Sequence, residues 1–249
     1  MKIVVIGGTG MIGSKVVGLL SAQGHEAVPA SPGTGVNTIS GEGLAEAFEG
    51  AAVVVDVSNS RSFEPAKVME FFETSTGNEL STEPQAGVRH HVALSVVGAD
   101  RLPDSGYMRA KVAQETLIRE SGIPYSIVRA TQFFEFLGAL TDEATDGDTV
   151  HLAPVAFRPI AADDVAATVA DVAMGRPVNG IVEVAGPEQA RFDDLIRSTL
   201  AAAHDSRDVV ADPKAPYYGS ALKEDSLVPV GGARTGRIRL ADWQATHAG

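Results

Sequence analysis

Residues 2–13 read KIVVIGGTGMIG and combine an apolar run, a glycine-rich turn and the start of an amphipathic segment. The run Lys2–Ile6 is typical of a buried strand. Apolar residues recur at helical spacing over Met11–Ala22, and Gly24 follows as helix-terminating glycines do. The stretch therefore predicts a strand, a tight turn and a helix in succession, the unit from which parallel α/β sheets are built.

The turn between this strand and helix carries two overlapping glycine patterns. Gly7, Gly10 and Gly13 spell GxxGxxG, while Gly8, Gly10 and Gly13 spell GxGxxG. Such glycines let the backbone approach a pyrophosphate, and the helix N-terminus then offers unpaired N–H groups to the anion. Because the pattern follows a strand and opens a helix, it predicts dinucleotide binding rather than a turn without a ligand. The predicted cofactor contacts in this turn are Gly7, Thr9, Gly10, Met11, Ile12 and Gly13.

The rest of the chain continues the alternation of strands and helices. Further strands are predicted at 25–30, 52–57, 89–96, 125–129, 149–152 and 181–184, and further helices at 43–48, 65–72 with a weak extension to 77, 107–121, 163–174, 192–203 and 240–245. Residues 77–87 are polar and contain Pro84, so we expect a loop or a frayed helix end there. The succession predicts an α/β fold, a Rossmann-type doubly wound parallel sheet with helices on both faces.

The regularity weakens after about residue 130. Residues 205–237 contain Pro213, Pro216 and Pro229 together with several glycines, which is typical of irregular structure. We expect a single NAD(P)-binding domain over residues 1–249, in which 130–160 and 205–249 form a small irregular C-terminal lobe that covers the substrate.

The end of the second strand bears on the type of dinucleotide. NAD sites usually carry Asp or Glu there to bind the ribose 2′-hydroxyl, but no acidic residue lies between Ala27 and Gly41. Nothing would repel a 2′-phosphate, and Ser31 could donate to it, so we expect NADP(H) rather than NAD(H). An arginine is also missing at this point, and the nearest cation in sequence is Lys15.

Polar residues also follow the strands predicted at 52–57 and 125–129. Ser58 and Asn59 come after the first and are predicted to contact ribose or nicotinamide, although ordinary turn chemistry explains them equally well. The segment 131–133 follows the second and is expected to border the nicotinamide or the substrate.

A tyrosine, a lysine and a serine form the predicted catalytic group. Tyr107 and Lys111 are four residues apart at the start of a helix, so they share one helix face. Ser95 ends the preceding strand, on the edge where strand ends and helix starts converge on a ligand. An ammonium group beside a phenol lowers its pKa from about 10. We therefore predict that Tyr107 exchanges a proton with a carbonyl oxygen, that Ser95 holds this oxygen, and that Lys111 assists Tyr107 and binds the cofactor ribose.

Composition excludes several other classes of protein. The chain has 249 residues, no cysteine and a formal charge of −12, which excludes thiolate metal sites and disulfides and disfavours nucleic acid or an anionic membrane as a partner. His90 and His91 are adjacent on a strand and point to opposite faces, so we predict no metal site. No apolar run has the length of a membrane span, and the expected location is the cytoplasm. The expected partner is a small-molecule substrate, and a homodimer stays open.

These residues resemble the short-chain dehydrogenase/reductase superfamily in its extended or atypical branch. The resemblance rests on the glycine turn, Ser95 and the YxxxK pair Tyr107/Lys111 in that order. Within the superfamily, residues 107–136 and the stretch Arg158–Ala166 (RPIAADDVA) are similar to the NmrA-like, NAD(P)H-binding group. The resemblance covers about residues 1–200 and implies a Rossmann core that binds NADP(H) or NAD(H). The chain lacks the basic residue that many relatives carry after the second strand.

The resemblance leaves more than one function open. NmrA-like proteins include reductases, and they include redox-sensing regulators that lack the tyrosine. Because this chain keeps Tyr107 and Lys111, we expect an NAD(P)H-dependent oxidoreductase that transfers hydride to or from a small carbonyl or quinone-like substrate. The alternatives are an NAD(P)-binding redox sensor without turnover and a sugar-nucleotide epimerase or dehydratase. The latter usually carries a larger C-terminal domain than this chain does.

Overall fold

A computed structural model describes residues 1–247 of the chain. The strands are β1 (Lys2–Ile6), β2 (Glu26–Ala30), β3 (Ala51–Asp56), β4 (His90–Val96), β5 (Tyr125–Ala130), β6 (Thr145–Asp146), β7 (Thr149–Leu152), β8 (Ala156–Phe157), β9 (Gly180–Ala185), β10 (Ala190–Arg191), β11 (Asp208–Ala211) and β12 (Arg234–Thr235). The helices are α1 (Met11–Ala22), α2 (Leu44–Phe48), α3 (Pro65–Ala86), α4 (Gly106–Glu120), α5 (Leu137–Glu143), α6 (Ala162–Met174), α7 (Phe192–Ala202) and α8 (Leu240–His247).

Seven parallel strands form the central sheet in the order β12-β9-β5-β4-β3-β1-β2. The chain builds outward from β1 in both directions, because β2 lies on one side of it and β3 on the other. This reversal opens a crevice at the carboxyl ends of β1 and β3, the place where open α/β sheets bind ligands. The predicted Rossmann-type doubly wound sheet is confirmed.

The two faces of the sheet have different characters. Alternating strand residues such as Val5, Val55, Val92 and Val128 point toward α1 and α6 and form a large apolar core with them. The residues between them point toward α2, α3 and α4. On that face the carboxyl half of the sheet carries buried polar and charged groups, namely Asp56, His91, Ser95 and Arg129.

Helix α3 is longer than the sequence indicates. It runs through Ala86 to a left-handed Gly87 with φ +75°, although residues 77–87 were expected to form a loop or a frayed end. Its polar residues Ser75, Thr76, Glu79 and Glu83 are buried against the sheet, so polarity there does not mean exposure. Pro84 lies in the last turn, where a missing N–H disrupts little of the helix that follows.

The second half of the chain is more ordered than expected. Strands β6, β7 and β11 form a three-stranded sheet, β8 pairs with β10, and β12 adds an edge strand to the central sheet. The predicted helix at 240–245 is found as α8. Much of this half packs into an apolar cluster of its own around Phe157, Ile196 and Leu227. Whether 130–160 and 205–249 act together as a substrate lobe stays a prediction.

The RPIAADDVA stretch has a structural part in this arrangement. Arg158 donates to the Gly186 carbonyl at 2.6 Å and to the Thr235 hydroxyl at 3.1 Å. The Asp164 carboxylate accepts the backbone N–H groups of Arg237 and Ile238 at 2.8 and 2.9 Å. The stretch therefore ties the segment around β12 to the core of the molecule. Over residues 1–247, no helix is long and apolar enough to cross a membrane.

Candidate nucleotide and catalytic site

The glycine turn adopts the tight geometry that its sequence predicts. Gly7 has φ +75°, and the Gly10 N–H donates to the Gly7 carbonyl at 2.9 Å. A Cβ on Gly13 would lie 2.1 Å from the Gly7 oxygen, so only glycine fits there. Gly10 caps α1 without a side-chain hydrogen bond, and the N–H groups of the first helical turn have no intrahelical acceptor. Together they offer a site for an anion.

Three buried hydroxyl groups near the carboxyl ends of the strands have no hydrogen-bond partner among residues 1–247. They belong to Ser31 after β2, Ser58 after β3 and Thr131 after β5. Buried hydroxyls are normally paired, so unpaired ones point to a polar partner supplied by another molecule. Their positions lie along the edge that a dinucleotide would follow, and the residues present therefore fit NAD(P). The individual contacts predicted for Ser31, Ser58 and the glycine turn stay predictions.

Tyr107 lies next to this crevice. Its hydroxyl donates to Asn59 Oδ1 at 3.3 Å. Asn59 follows Ser58, and the Ser58 backbone lies so close to Gly7 that a Cβ on Gly7 would come within 2.9 Å of it. The glycine turn, Asn59 and the Tyr107 phenol are thus linked by direct contacts. Burial raises the pKa of Tyr107 to about 12, opposed by the bond to Asn59.

Lys111 is buried beneath Tyr107 rather than paired with it. Its Nζ donates to the Leu94 carbonyl at 2.8 Å and to Gln114 Oε1, and lies 4.2 Å from the centre of the Phe72 ring. Burial lowers the pKa of Lys111 to about 8, against the charge of Asp56. The structure shows no hydrogen bond between Tyr107 and Lys111. The predicted lowering of the Tyr107 pKa by Lys111 is therefore wrong for this geometry, because the ammonium is directed into the polar interior.

Gln114 connects Lys111 to the strand that borders the crevice. Its Nε2 donates to Asp56 Oδ2 at 2.7 Å, and Asp56 Oδ1 accepts the Ser58 N–H at 2.8 Å. A path of hydrogen bonds therefore runs from Lys111 through Gln114 and Asp56 to the backbone at Ser58. Sequence reasoning missed Gln114 and Asp56. The available signals were a glutamine three residues after Lys111 and a single carboxylate closing an apolar strand.

Ser95 does not meet Tyr107. Its hydroxyl donates to Glu115 Oε1 at 2.6 Å, in a buried cluster with Arg129. Glu115 lies eight residues beyond Tyr107 on α4, about 12 Å along the helix axis. Ser95 points this way because it has the same orientation on β4 as His91 and faces α4 rather than the crevice. The geometry gives no support to the prediction that Ser95 holds a substrate oxygen.

The remaining candidate features do not add a catalytic group. His90 Nε2 bonds Ser126 while His91 Nδ1 bonds Glu83, so the two rings are directed to different partners. Within residues 1–247, no group of three His, Cys, Asp or Glu side chains is arranged to hold a metal ion. A cavity of about 460 Å³ lies between α7 and α8, and none of the predicted site residues lines it.

Comparison with known proteins identifies the family of this chain. Residues 34–175 match the model of a family described as NAD(P)H-binding. The chain belongs to this NAD(P)H-binding family. Its resemblance to the extended or atypical branch of the short-chain dehydrogenase/reductase superfamily, and within it to the NmrA-like group, is confirmed.

Two curated relatives illustrate the range of the similarity. The photosystem II assembly factor Ycf39 of Cyanophora paradoxa is 25% identical over 167 residues, which are 61% of this chain and 52% of the relative. The chloroplastic divinyl chlorophyllide a 8-vinyl-reductase of Cucumis sativus is 31% identical over 126 residues, 47% of this chain and 30% of the relative. The chain thus matches about half or less of the length of these relatives.

Solved structures share the fold over nearly the whole chain. A short-chain dehydrogenase/reductase superfamily protein from Agrobacterium tumefaciens with bound NAD has a TM-score of 0.75 at 18% identity and covers 100% of this chain and 96% of its own. The dTDP-glucose 4,6-dehydratase DesIV from Streptomyces venezuelae, with NAD and TYD bound, has a TM-score of 0.73 at 17% identity, covering 99% and 98%. At these identities the likeness concerns the fold alone.

Proposed function

We propose that this chain is an NAD(P)H-dependent reductase that transfers hydride to a small carbonyl or quinone-like substrate, with Tyr107 as the proton donor. The observation that carries the proposal is the contact between the Tyr107 hydroxyl and Asn59, next to Ser58 and the glycine turn. It holds a phenol beside the edge along which the dinucleotide would lie. The cofactor, when bound, supplies the hydride.

The protonation state of Tyr107 favours reduction over oxidation. With a pKa of about 12, the phenol carries its proton throughout the neutral range. The substrate would take up this proton together with one hydride, which bound NAD(P)H would supply, and solvent would return a proton to Tyr107. Asn59 fixes the direction of the phenol, while Lys111 is directed away from it, toward Gln114 and the Leu94 carbonyl.

For the cofactor, the proposal is NADP(H) in preference to NAD(H). No acidic side chain lies in the segment that follows β2, and the buried Ser31 hydroxyl has no partner among residues 1–247. A 2′-phosphate would therefore meet a donor and no carboxylate from this segment. Lys15, the nearest cation in sequence, pairs with Asp163 at 2.8 Å.

The names of two relatives support a reductase. The Cucumis sativus and Arabidopsis thaliana proteins are both divinyl chlorophyllide a 8-vinyl-reductases. Since the matched region covers only 30% and 36% of them, their substrate is not transferred to this chain. What supports the proposal is that both relatives are named as reductases.

A second candidate is an NAD(P)-binding sensor without turnover. Two observations favour it: Ser95 lies away from Tyr107, and the Lys111 ammonium is directed inward, so the three predicted catalytic groups are not assembled. The relative Ycf39 is a photosystem II assembly factor, and an assembly factor does not have to be an enzyme. A sugar-nucleotide epimerase has support only from the fold of structural neighbours.

The test is oxidation of NADPH and NADH with aldehydes, ketones and quinones, beside calorimetric titration of both nucleotides. We expect turnover with NADPH, and a fall of about 100-fold or more in kcat/KM for Tyr107→Phe, because a positioned general acid contributes about 10²–10⁴-fold. Nucleotide affinity should stay within about twofold. Tyr125→Phe, at the amino end of β5 and so at the opposite end of the strands from the crevice, is the matched control. Tight nucleotide binding without turnover would establish the sensor instead.

A further inference from the structure

Aromatic rings from three separate segments meet beside Tyr107. Phe63 comes from the loop between β3 and α3, Tyr107 from α4, and Tyr218 from the turn between β11 and β12. The Phe63 ring lies 6.0 Å from that of Tyr107 and is stacked with that of Tyr218 at 6.3 Å and 10° between planes.

The backbone at Tyr218 is strained for a residue with a side chain. Tyr217 and Ser220 pair through both backbone groups, at 2.8 and 3.0 Å, and enclose a two-residue turn. Tyr218 has φ +47° and Gly219 φ +83°, the pattern in which Asn-Gly or Gly-Gly is usual. A tyrosine is disfavoured in this conformation. Strain of this kind is characteristic of residues held in place for a function.

The Phe63 ring, which stacks with that of Tyr218, is exposed to solvent. Its side chain is 64% exposed, which is unusual for a ring of this size. The loop that carries it is held by short side-chain bonds, from the Ser62 N–H to Ser60 Oγ and from the Glu64 N–H to Ser62 Oγ, both at 3.1 Å. The exposed ring therefore lies on a loop fixed by its own polar residues rather than by the core.

We propose that Phe63 and Tyr218 form an aromatic clamp that selects a planar, conjugated acceptor and presents its carbonyl oxygen to Tyr107. This rests on the proposed reductase function and specifies its substrate class as aryl aldehydes, aryl ketones and quinones. Flat rings stack on aromatic side chains in offset or edge-on geometry, whereas saturated rings lack the π-system that this contact requires. The acceptor gains a hydride from NAD(P)H and a proton from Tyr107, as above.

Two cavities of the molecule are competing candidates for the place of the substrate. The one behind Tyr218, lined by Leu140, Phe192 and Leu222 among others, has about 40 Å³ and is too small for an aromatic acceptor. The cavity between α7 and α8 has room, but Tyr107 does not line it. The aromatic clamp, in contrast to these two cavities, adjoins the proton donor through the Phe63–Tyr107 contact.

The experiment compares two aldehydes of similar size, benzaldehyde and cyclohexanecarbaldehyde, as acceptors from NADPH. We expect wild type to prefer benzaldehyde, and the kcat/KM ratio to fall about fivefold in Phe63→Leu and in Tyr218→Leu, which corresponds to about 1 kcal/mol. Tyr218→Phe should restore the ratio because it keeps the ring. Tyr125→Leu removes an aromatic side chain at the amino end of β5, away from the crevice, and should leave the ratio unchanged. Thermal melting verifies that each variant is folded.

A second measurement separates the clamp from the reductase proposal. Calorimetry follows 1,4-naphthoquinone binding to protein saturated with NADP⁺, where no hydride can move. If wild type shows no turnover, but the quinone binds and both leucine variants weaken it about fivefold, the clamp stands and the reductase fails. Turnover with an unchanged ratio in the leucine variants overturns the clamp and leaves the reductase. Neither turnover nor binding overturns both.

Discussion

The two faces of the central sheet bury different kinds of side chain. The face under α1 and α6 is closed by aliphatic side chains, with His90 at its amino end bonded to Ser126. Burial lowers the pKa of His90 to about 4, so the ring is neutral at physiological pH. The face under α3 and α4 instead buries Glu79, Glu83 and Lys111 together with other charged groups.

The comparison separates the face that contributes to stability from the face beside which the proposed catalytic residue lies. Aliphatic burial under α1 and α6 stabilises the fold without a specific pH dependence. Charges under α3 and α4 must be paired to be tolerated, so that face is sensitive to protonation and to the loss of a partner. Tyr107, at the start of α4, lies at the edge of the charged face. The predictions below test this division.

The largest loss of stability should come from removing Arg129, the arginine of the charged face. Arg129 donates to both oxygens of Glu115, at 2.8 and 2.6 Å, and to Asp100 at 3.0 Å. Arg129→Met leaves the buried Glu115 carboxylate without its main partner, and we expect a loss of about 3–5 kcal/mol of unfolding free energy. Urea denaturation at pH 7 measures it.

The control for this variant uses the same carboxylate. Arg119 also approaches Glu115, at 3.9 Å, but its side chain is 41% exposed, so Arg119→Met should cost less than about 1 kcal/mol. The double variant Glu115→Gln with Arg129→Met should recover part of the loss. Equal effects of the two arginine variants would show that burial does not distinguish the charges of this face.

A smaller effect, of opposite sign, is expected at Glu79. Both of its carboxylate oxygens lack a partner among residues 1–247, and burial, with the charges of Asp56 and Glu83, raises its pKa well above 4.5 against the effect of Lys111. The folded state therefore holds a proton that the unfolded state releases near pH 4.5. Stability contributed by this proton is complete below that pH and is lost as the pH rises through the folded pKa.

Glu79→Gln removes the titration and keeps the shape of the side chain. We expect it to raise the free energy of unfolding by about 1–3 kcal/mol at pH 8. Below pH 4.5 Glu79 is protonated in both the folded and the unfolded state, so its ionisation should contribute nothing to the difference between variant and wild type. Urea denaturation across pH 4.5–8.5 measures the change, with Glu73→Gln, exposed on the same helix, as the control. A stabilisation that is equal at every pH would contradict an ionisation at Glu79.

The fold could be predicted because its determinants are local. The turn from Gly7 to Gly13 has a fixed geometry, and β-branched runs such as Ala51–Asp56 read as buried strands. The end of α3 could not be predicted, because Ser75 and Glu79 look solvent-facing in sequence and are covered by the sheet only in the tertiary structure. A polar helix face buried on a charged sheet face has no simple sequence pattern.

The candidate site was predictable in its positions but not in its contacts. The sequence places Asn59 and Tyr107 at the crevice, because strand ends and helix starts converge there. It does not show that the loop after β3 brings Asn59 to the phenol, nor that Lys111 is directed inward. These depend on side-chain direction and loop path, which spacing alone does not determine.

The smallest predicted effect is at Ser95, for which a structural role and a catalytic role predict different results. If Ser95 belongs to the buried cluster, Ser95→Ala removes one hydrogen bond to Glu115 and costs about 1 kcal/mol, while kcat/KM stays within about twofold. If it held the substrate oxygen, kcat/KM would fall by about 100-fold with little change in stability. Steady-state kinetics and urea denaturation of the same preparation separate the two, with Ser81→Ala, exposed on α3, as the control. The expected result is a loss of stability with activity retained. It would show that Ser95, which α4 covers, has a structural role, and that catalysis is confined to the uncovered edge of this face at Tyr107.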